Sequence, residues 1–306
     1  MRGRPGYPDR SSWGLWGDTD QVGAFNDVTP EDVADAARLV TDGAVFALNW
    51  DQRLPDPALY TRGTLTRTVI DHGGALDDYY DDFWPQQSSQ WDGLAHIRHP
   101  RHGFYGGREA HELRGPDARN GIEHWARRGI AARFVLADVD RWRASTGRPL
   151  HPDRGEGVPA TDVIATLEAQ AVELRPGAVL LLRFGWITWY EQLDQPARDA
   201  VADPAGGWTA SGLRADTHML RWLWDSGVVA VAADNPAVEA VPAGPGDRSL
   251  HTDLLTLLGV ALGELWYLDR LAAHCAATGR YTGLLASAPM HLAGGVGSPA
   301  NALALM

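Results

Sequence analysis

Cysteine is nearly missing from this chain. Cys275 is the only one in 306 residues, which excludes an intrachain disulfide framework and a thiolate-held structural zinc. Any metal would have to sit on imidazole, carboxylate or amide oxygen. Positive charge is also in deficit: the formal net charge is -12, and the acidic residues are spread along the chain rather than gathered in a tail. That balance argues against attraction to phosphate backbones or anionic lipid, so neither nucleic acid nor a membrane is an expected partner. No run reaches the ~20 apolar residues of a membrane helix. The most apolar stretch, LLTLLGVALGELW, is interrupted by Glu264. The opening MRGRPGYPDRSSWGLWGDTD has basic residues with no apolar run behind them, so export is not expected and a cytoplasmic location is. There is no fixed-period repeat and no GxGxxG fingerprint, which argues against a solenoid and against a dinucleotide fold. Gly294-Gly295-Val296-Gly297 is too late and too isolated to serve as a nucleotide loop.

What is present is the balance of a compact protein, with 44% hydrophobic and 22% charged residues. Thr29-Pro30-Glu31-Asp32 predicts a capped helix start ahead of VADAARLV. Apolar runs at 44–50, 131–139, 178–186 and 228–235 read as strands buried on both faces. Helical stretches at 120–129, 161–174 and 214–227 lie between them. Strands alternating with helices give an α/β layered fold. The last third reads as a helix, a short strand and a second helix, with Gly259 and Gly263 as breaks. One globular unit over 1–306 is expected, with 1–28 as an N-terminal arm packing on the domain or on a partner subunit.

The stretch QQSSQWDGLAH, residues 86–96, carries the chemistry. Gln86, Gln90, Asp92 and His96 are spaced four, two and four apart. Gln90 and Asp92 would point to one side of an extended strand, with Gln86 converging on them at the edge of a cavity. The bland alternative is a solvated polar loop. His251 and Glu264 are the complementary donors elsewhere in the chain. Glu264 stands inside an apolar run, where an unpaired carboxylate would cost several kcal/mol unless it met a cation or took a proton. A metal would resolve that cost; so would a buried arginine such as Arg183, with His251 merely capping a helix.

This pattern resembles the cyclase-like metal hydrolases, the family of kynurenine formamidases and isatin hydrolases, whose hallmark is HxGTHxDxxxH. The spacing is kept here, but both metal-binding histidines are glutamines, as in a branch with QxxxQxDxxxH that includes the zinc-dependent trans-dienelactone hydrolases. WGLWGDTDQVGAFNDVTPEDV, GIEHWARRGIAARFVLADV, VLLLRFGW, VVAVAADNPAVEAVP and HTDLLTLLGVALGELWYLDRLA carry the same likeness, from about Trp13 to His274. The resemblance implies Gln86, Gln90, Asp92, His251 and Glu264 as metal ligands and His96 as the acid/base. It also implies a swivelling β/β/α fold with mixed sheet layers, and a homodimer or homotetramer.

Two amides in place of imidazoles weaken donation, so one divalent ion per chain is expected, with zinc favoured by family and manganese a rival. The expected reaction is hydrolysis of a small cyclic ester or cyclic amide by metal-activated water. A cyclase or dehydratase on the same site is the alternative, and a non-catalytic binding protein the third reading. Trp84, Trp91, Tyr105 and Trp186 are candidates to line the substrate cavity. His72 in DHGGALDDYYDDF reads as an exposed loop residue.

Overall fold

A computed structural model describes residues 5–203, 207–246 and 248–306. Thirteen strands occur among them: β1 Val45–Ala47, β2 Thr66–Asp71, β3 Leu76–Asp81, β4 Gln90–Asp92, β5 Ile130–Asp138, β6 Gly157–Val158, β7 Val179–Arg183, β8 Gly212–Leu213, β9 Ala230–Ala233, β10 Ala261–Glu264, β11 Thr282–Ser287, β12 Gly297–Pro299 and β13 Ala302–Leu305. Nine build one curled mixed sheet in the order β1-β13-β11-β5-β7-β9-β10-β4-β12. Its centre, β5-β7-β9-β10, is parallel, and both flanks are antiparallel. β5, β7 and β9 are the Val/Leu/Ala-rich runs, and helices between them cover the sheet as parallel strands require. The α/β expectation holds.

Local sequence accounts for several element ends. Thr29 caps the helix Pro30–Ala37 with a capping box in which Asp32 answers Thr29, and Pro30 occupies the first turn. The helix predicted over 161–174 covers Ala160–Ala169, because Ala171 turns to φ +52°. The strand read over 178–186 stops at Arg183, and Trp186 opens a short helix instead. The run at 44–50 is an edge strand buried only on alternate residues, not on both faces. Gly259 does end a helix, at φ +64°. Gly263 is no break: it lies inside β10 opposite Trp91, where a Cβ would stand 2.7 Å from Ala232 Cβ and from the Trp266 indole nitrogen.

The N-terminal arm packs on the chain's own helix His251–Leu258, which is π-helical. Ser12 N donates to Leu257 O at 2.9 Å, Trp13 Nε1 to Thr256 O at 2.7 Å, and Ala24 N to Gly259 O at 2.8 Å. The arm thus braces the element whose first turn carries His251. Among the described residues no helix is long and apolar enough to cross a membrane.

Candidate metal centre and cavity

The site is built on the β4–β10 pair. Gln90 faces Glu264 and Asp92 faces Leu262 in antiparallel register, so Gln90, Asp92 and Glu264 share one face while Trp91 takes the other. All three polar side chains are buried. β12 pairs with the far edge of β4 and places Gly297 beside Asp92. A Cβ on Gly297 would sit 2.6 Å from Gln86 Cδ, so the missing side chain is what admits Gln86 next to Asp92.

His251 completes the centre from the π-helix, a widened form of helix often found at functional sites. Its Nε2 lies 2.9 Å from Glu264 Oε1 and 3.7 Å from Asp92 Oδ2. One donor atom each from Asp92, His251 and Glu264 falls within 4.8 Å of the others. Gln90 Nε2 donates to Glu264 Oε2. Gln86 Nε2 donates to Asp92 Oδ1 at 2.5 Å and lies 3.0 Å from His96 Nδ1. His96 is returned to the centre by a turn in which its N–H donates to Gly93 O at 2.9 Å, leaving Nε2 3.7 Å from Asp92 Oδ1. Arg183 does not reach Glu264. It pairs with Asp138, Asp140 and Asp269 instead, so Arg183 is not the partner of Glu264.

The electrostatics follow from burial. Desolvation raises the Glu264 carboxyl to about 7, and the charge of Asp92 pushes the same way. His251 has its pKa lowered by burial but more than restored by Glu239 and Glu264, so it stands well above the ordinary imidazole range. His96 is held below its ordinary value by desolvation, which favours the neutral ring near pH 7. Two acceptors are orphaned: Asp92 Oδ2 and Gln90 Oε1 are buried with no hydrogen-bond partner. Buried orphan acceptors beside a second carboxylate are what a cation site leaves when only protein atoms are counted. The residues therefore fit a divalent ion.

A family model described as "Putative cyclase" matches residues 50–240. The chain belongs to this cyclase family. A crystal structure of a novel cyclase shares 31% identity with this cyclase-family chain at a TM-score of 0.85, covering 97% of each chain. Isatin hydrolase A from Labrenzia aggregata, bound to benzyl benzoate, is similar in fold at 16% identity and TM-score 0.60, covering 85% of this chain and 93% of its own. An isatin hydrolase bound to the product analogue thioisatinate matches at 17% identity and TM-score 0.59, over 91% and 99%. No curated protein matches.

In this cyclase-family chain a cavity of about 520 Å³ opens onto the centre, lined in part by His96, His251 and Glu264. Trp84 lines it and is 43% exposed. Trp91, Tyr105 and Trp186 do not, which corrects the expectation for each. Strand parity turns Trp91 into the core, where it meets Trp266 at 4.7 Å and donates to Ser287 Oγ. Tyr105 is buried with its hydroxyl on Asp20, and Trp186 stacks on Tyr190 at 5.1 Å in a separate core cluster. His72 sits at the exposed hairpin β2–β3, 3.2 Å from Asp77.

Sequence reading missed Glu239, Tyr60, Arg62 and Trp208 in the cavity. Glu239 Oε1 lies 3.1 Å from His251 Nδ1, and its other oxygen accepts from Leu250 N. The preceding Val238 has φ +57°, a costly conformation for a β-branched residue, and Leu265 after Glu264 has φ +54°. Both carboxylates that grip His251 thus adjoin backbone held out of its ordinary range. The only signal in the sequence was an acid in VVAVAADNPAVEAVP, with nothing to give it a direction.

Proposed function

We propose that the chain is a metal-dependent hydrolase that opens a cyclic ester or cyclic amide, in the glutamine-bearing branch of the family. The observation that carries this reading is the buried Asp92–His251–Glu264 triad with its orphaned acceptors, next to a histidine, His96, that lines the open cavity. Asp92, His251 and Glu264 would hold the ion, with the amides of Gln90 and Gln86 as the neutral members of the set. The two carboxylates balance one divalent charge, and neutral amides offer little to a second ion, so one ion per chain is proposed, zinc first and manganese next. When bound, such an ion supplies Lewis-acid polarisation of a carbonyl and makes water nucleophilic at neutral pH. Support for ring opening also comes from structural neighbours named as isatin hydrolases.

His96 takes the proton from the attacking water and returns it to the leaving oxygen or nitrogen. Gln86 positions it: the amide nitrogen lies 3.0 Å from Nδ1, and Nε2 lies 3.7 Å from Asp92 Oδ1, so the ring is held at the edge of the triad. Glu239 fixes His251 from behind, its carboxylate accepting from Nδ1 so that Nε2 faces Glu264.

Metal analysis of the purified protein, panels of lactones and cyclic amides, and a His96→Ala variant test the proposal. Stoichiometric metal, ring opening, and a kcat loss on the order of 10²–10⁴ with metal retained are expected. A metal-free protein that takes up no ion would leave only a binding role. Silence on every ring substrate alongside closure of a linear precursor would favour the cyclase reading.

A further inference from the structure

The hairpin β2–β3 concentrates the exposed apolar surface of the chain. Of the thirteen large hydrophobic residues exposed among the described residues, seven lie between Val69 and Trp84. Every residue of β3 is exposed, so neither face of the hairpin is covered by its own chain. Its strands nevertheless pair along their whole length, from Thr66 opposite Asp81 to Asp71 opposite Leu76. A two-stranded hairpin is marginal in water unless it packs on something further, and an exposed apolar concentration of this kind marks a contact surface.

Its two faces differ. On one, Asp78 is satisfied within the hairpin, accepting from Arg67 Nε at 2.7 Å and from the Tyr80 hydroxyl at 3.0 Å. The other carries Ile70 and Tyr79, with Asp77 and Asp81 as an acidic rim. Asp81 meets no cation among the described residues, and Asp77 meets only His72, at 3.2 Å. Residues 66–82 hold five aspartates against one arginine, a net of -4. Segment 98–128 reverses that balance with seven arginines against four acids, a net of +3 in a chain of net -12. Of those arginines only Arg98 and Arg108 pair with acids among the described residues. An apolar patch sits beside them: Leu292 is 54% and Val296 38% exposed. The turn that carries this patch is seated on the basic segment. A Cβ on Gly294 would lie 2.9 Å from Ala118 Cβ, one on Gly295 3.0 Å from Ile122 Cγ2, and Arg127 Nε donates to His291 Nε2 at 3.2 Å.

We propose that the hairpin is an intersubunit arm whose Ile70–Tyr79 face docks on the Leu292–Val296 patch of a second copy of this chain, acidic rim against arginines. Both halves of the contact belong to one sequence, with apolar centres and rims of opposite sign, so a two-fold pair satisfies both at once. Opposite charge also sets the register, because arm against arm or patch against patch would repel. The contact reaches the metal centre from two sides. Arg62 and Trp84 of the cavity wall stand at the two stems of the hairpin, where a Cβ on Gly63 would lie 2.8 Å from Trp84 Nε1. Val296 O accepts from Gly93 N at 3.0 Å, next to Asp92. Pairing therefore holds both the wall and the backbone beside Asp92, whatever reaction the site performs.

Sedimentation velocity of the full chain tests the contact. The wild-type protein is expected to dimerise, with an affinity that falls as salt is raised. Asp77→Arg with Asp81→Arg reverses the rim of the arm, and Arg114→Glu with Arg127→Glu reverses the rim of the patch. Each double variant alone should dimerise more weakly, on the order of tenfold or more. Mixed in equal amounts, the two should form a heterodimer of near wild-type strength, because every arm then meets a patch of opposite sign. Ile70→Ser with Tyr79→Ser leaves all charges in place and should weaken the pair without rescue by either charge variant. Circular dichroism melts that match wild type show that each variant keeps its fold. A wild-type chain that stays monomeric up to its solubility limit overturns the proposal. So does a dimer that the serine variant leaves at full strength, or a mixture of the two charge variants that recovers no pairing.

Discussion

Glu239 and His251 lie 3.1 Å apart, carboxylate oxygen to Nδ1, with the opposite nitrogen of the same ring 2.9 Å from Glu264. One imidazole therefore lies between two carboxylates of different standing. Glu264 shares the buried triad, and Glu239 stands behind it. This arrangement determines which nitrogen can face an ion, because the partner of one ring nitrogen sets the state of the other.

Replacing Glu239 should thus weaken metal binding without emptying the triad. Glu239→Gln is expected to lower affinity on the order of tenfold, and Glu239→Ala up to about a hundredfold. Competition titration against a chromophoric chelator measures both. Unchanged affinity in the alanine variant would mean that His251 needs no orientation from behind.

The ion should also stabilise the fold. Asp92 and Glu264 are buried side by side, and their mutual repulsion is relieved only by a cation or a proton. Saturation at about 100 times Kd corresponds to ~2.7 kcal/mol of added stability. Thermal melts with chelator and with added zinc or manganese check this, and a Tm indifferent to both would contradict the metal assignment.

Tryptophans that look alike in the sequence should separate into two classes. Trp91→Ala removes a fully buried ring from contact with Phe25, Trp125 and Trp266 and is expected to cost about 3–5 kcal/mol in denaturant unfolding. Trp84→Ala, on an exposed wall, should raise KM and leave the unfolding midpoint nearly unmoved. Similar destabilisation by the two variants would refute the division.

A pH dependence of stability arises away from the metal centre. Asp234 is fully buried and accepts from Phe184 N and Gly185 N at 2.7 and 2.8 Å, and desolvation raises its carboxyl to about 7. Arg183 opposes that rise, and Asp269 adds to it. Between the ordinary value and about 7 the folded state binds more protons than the unfolded one, so stability falls as pH rises through that window, by roughly 4 kcal/mol at most. Asp234→Asn should flatten this part of the profile in denaturant titrations from pH 4 to 8. An unchanged slope would place the dependence on other groups.

Periodicity and capping carried much of the fold. The buried runs of β5, β7 and β9 and the capped helix at Thr29 were legible because each reflects a local rule: strand burial in a parallel sheet, or a side chain satisfying a helix N-terminus. The hairpin β2–β3 was not legible. Its exposed polar residues carry no burial pattern, and among the described elements it makes its chief contacts within itself.

For the site, the sequence by itself determined the donor types and the alternation that puts Gln90 and Asp92 on one face. It also marked Glu264 as a charge that an apolar run could not tolerate unpaired. Tertiary structure decided the rest. Strand register set Glu264 against Gln90, a glycine in β12 made room for Gln86, and a strained turn at Val238 aimed Glu239 at His251. It also sent Trp91 into the core and gathered Tyr60, Arg62 and Trp208 around the cavity. The physical reason is range: parity and capping act over a few residues, whereas a cavity wall is made by segments up to about 200 residues apart, whose meeting depends on packing of the whole sheet.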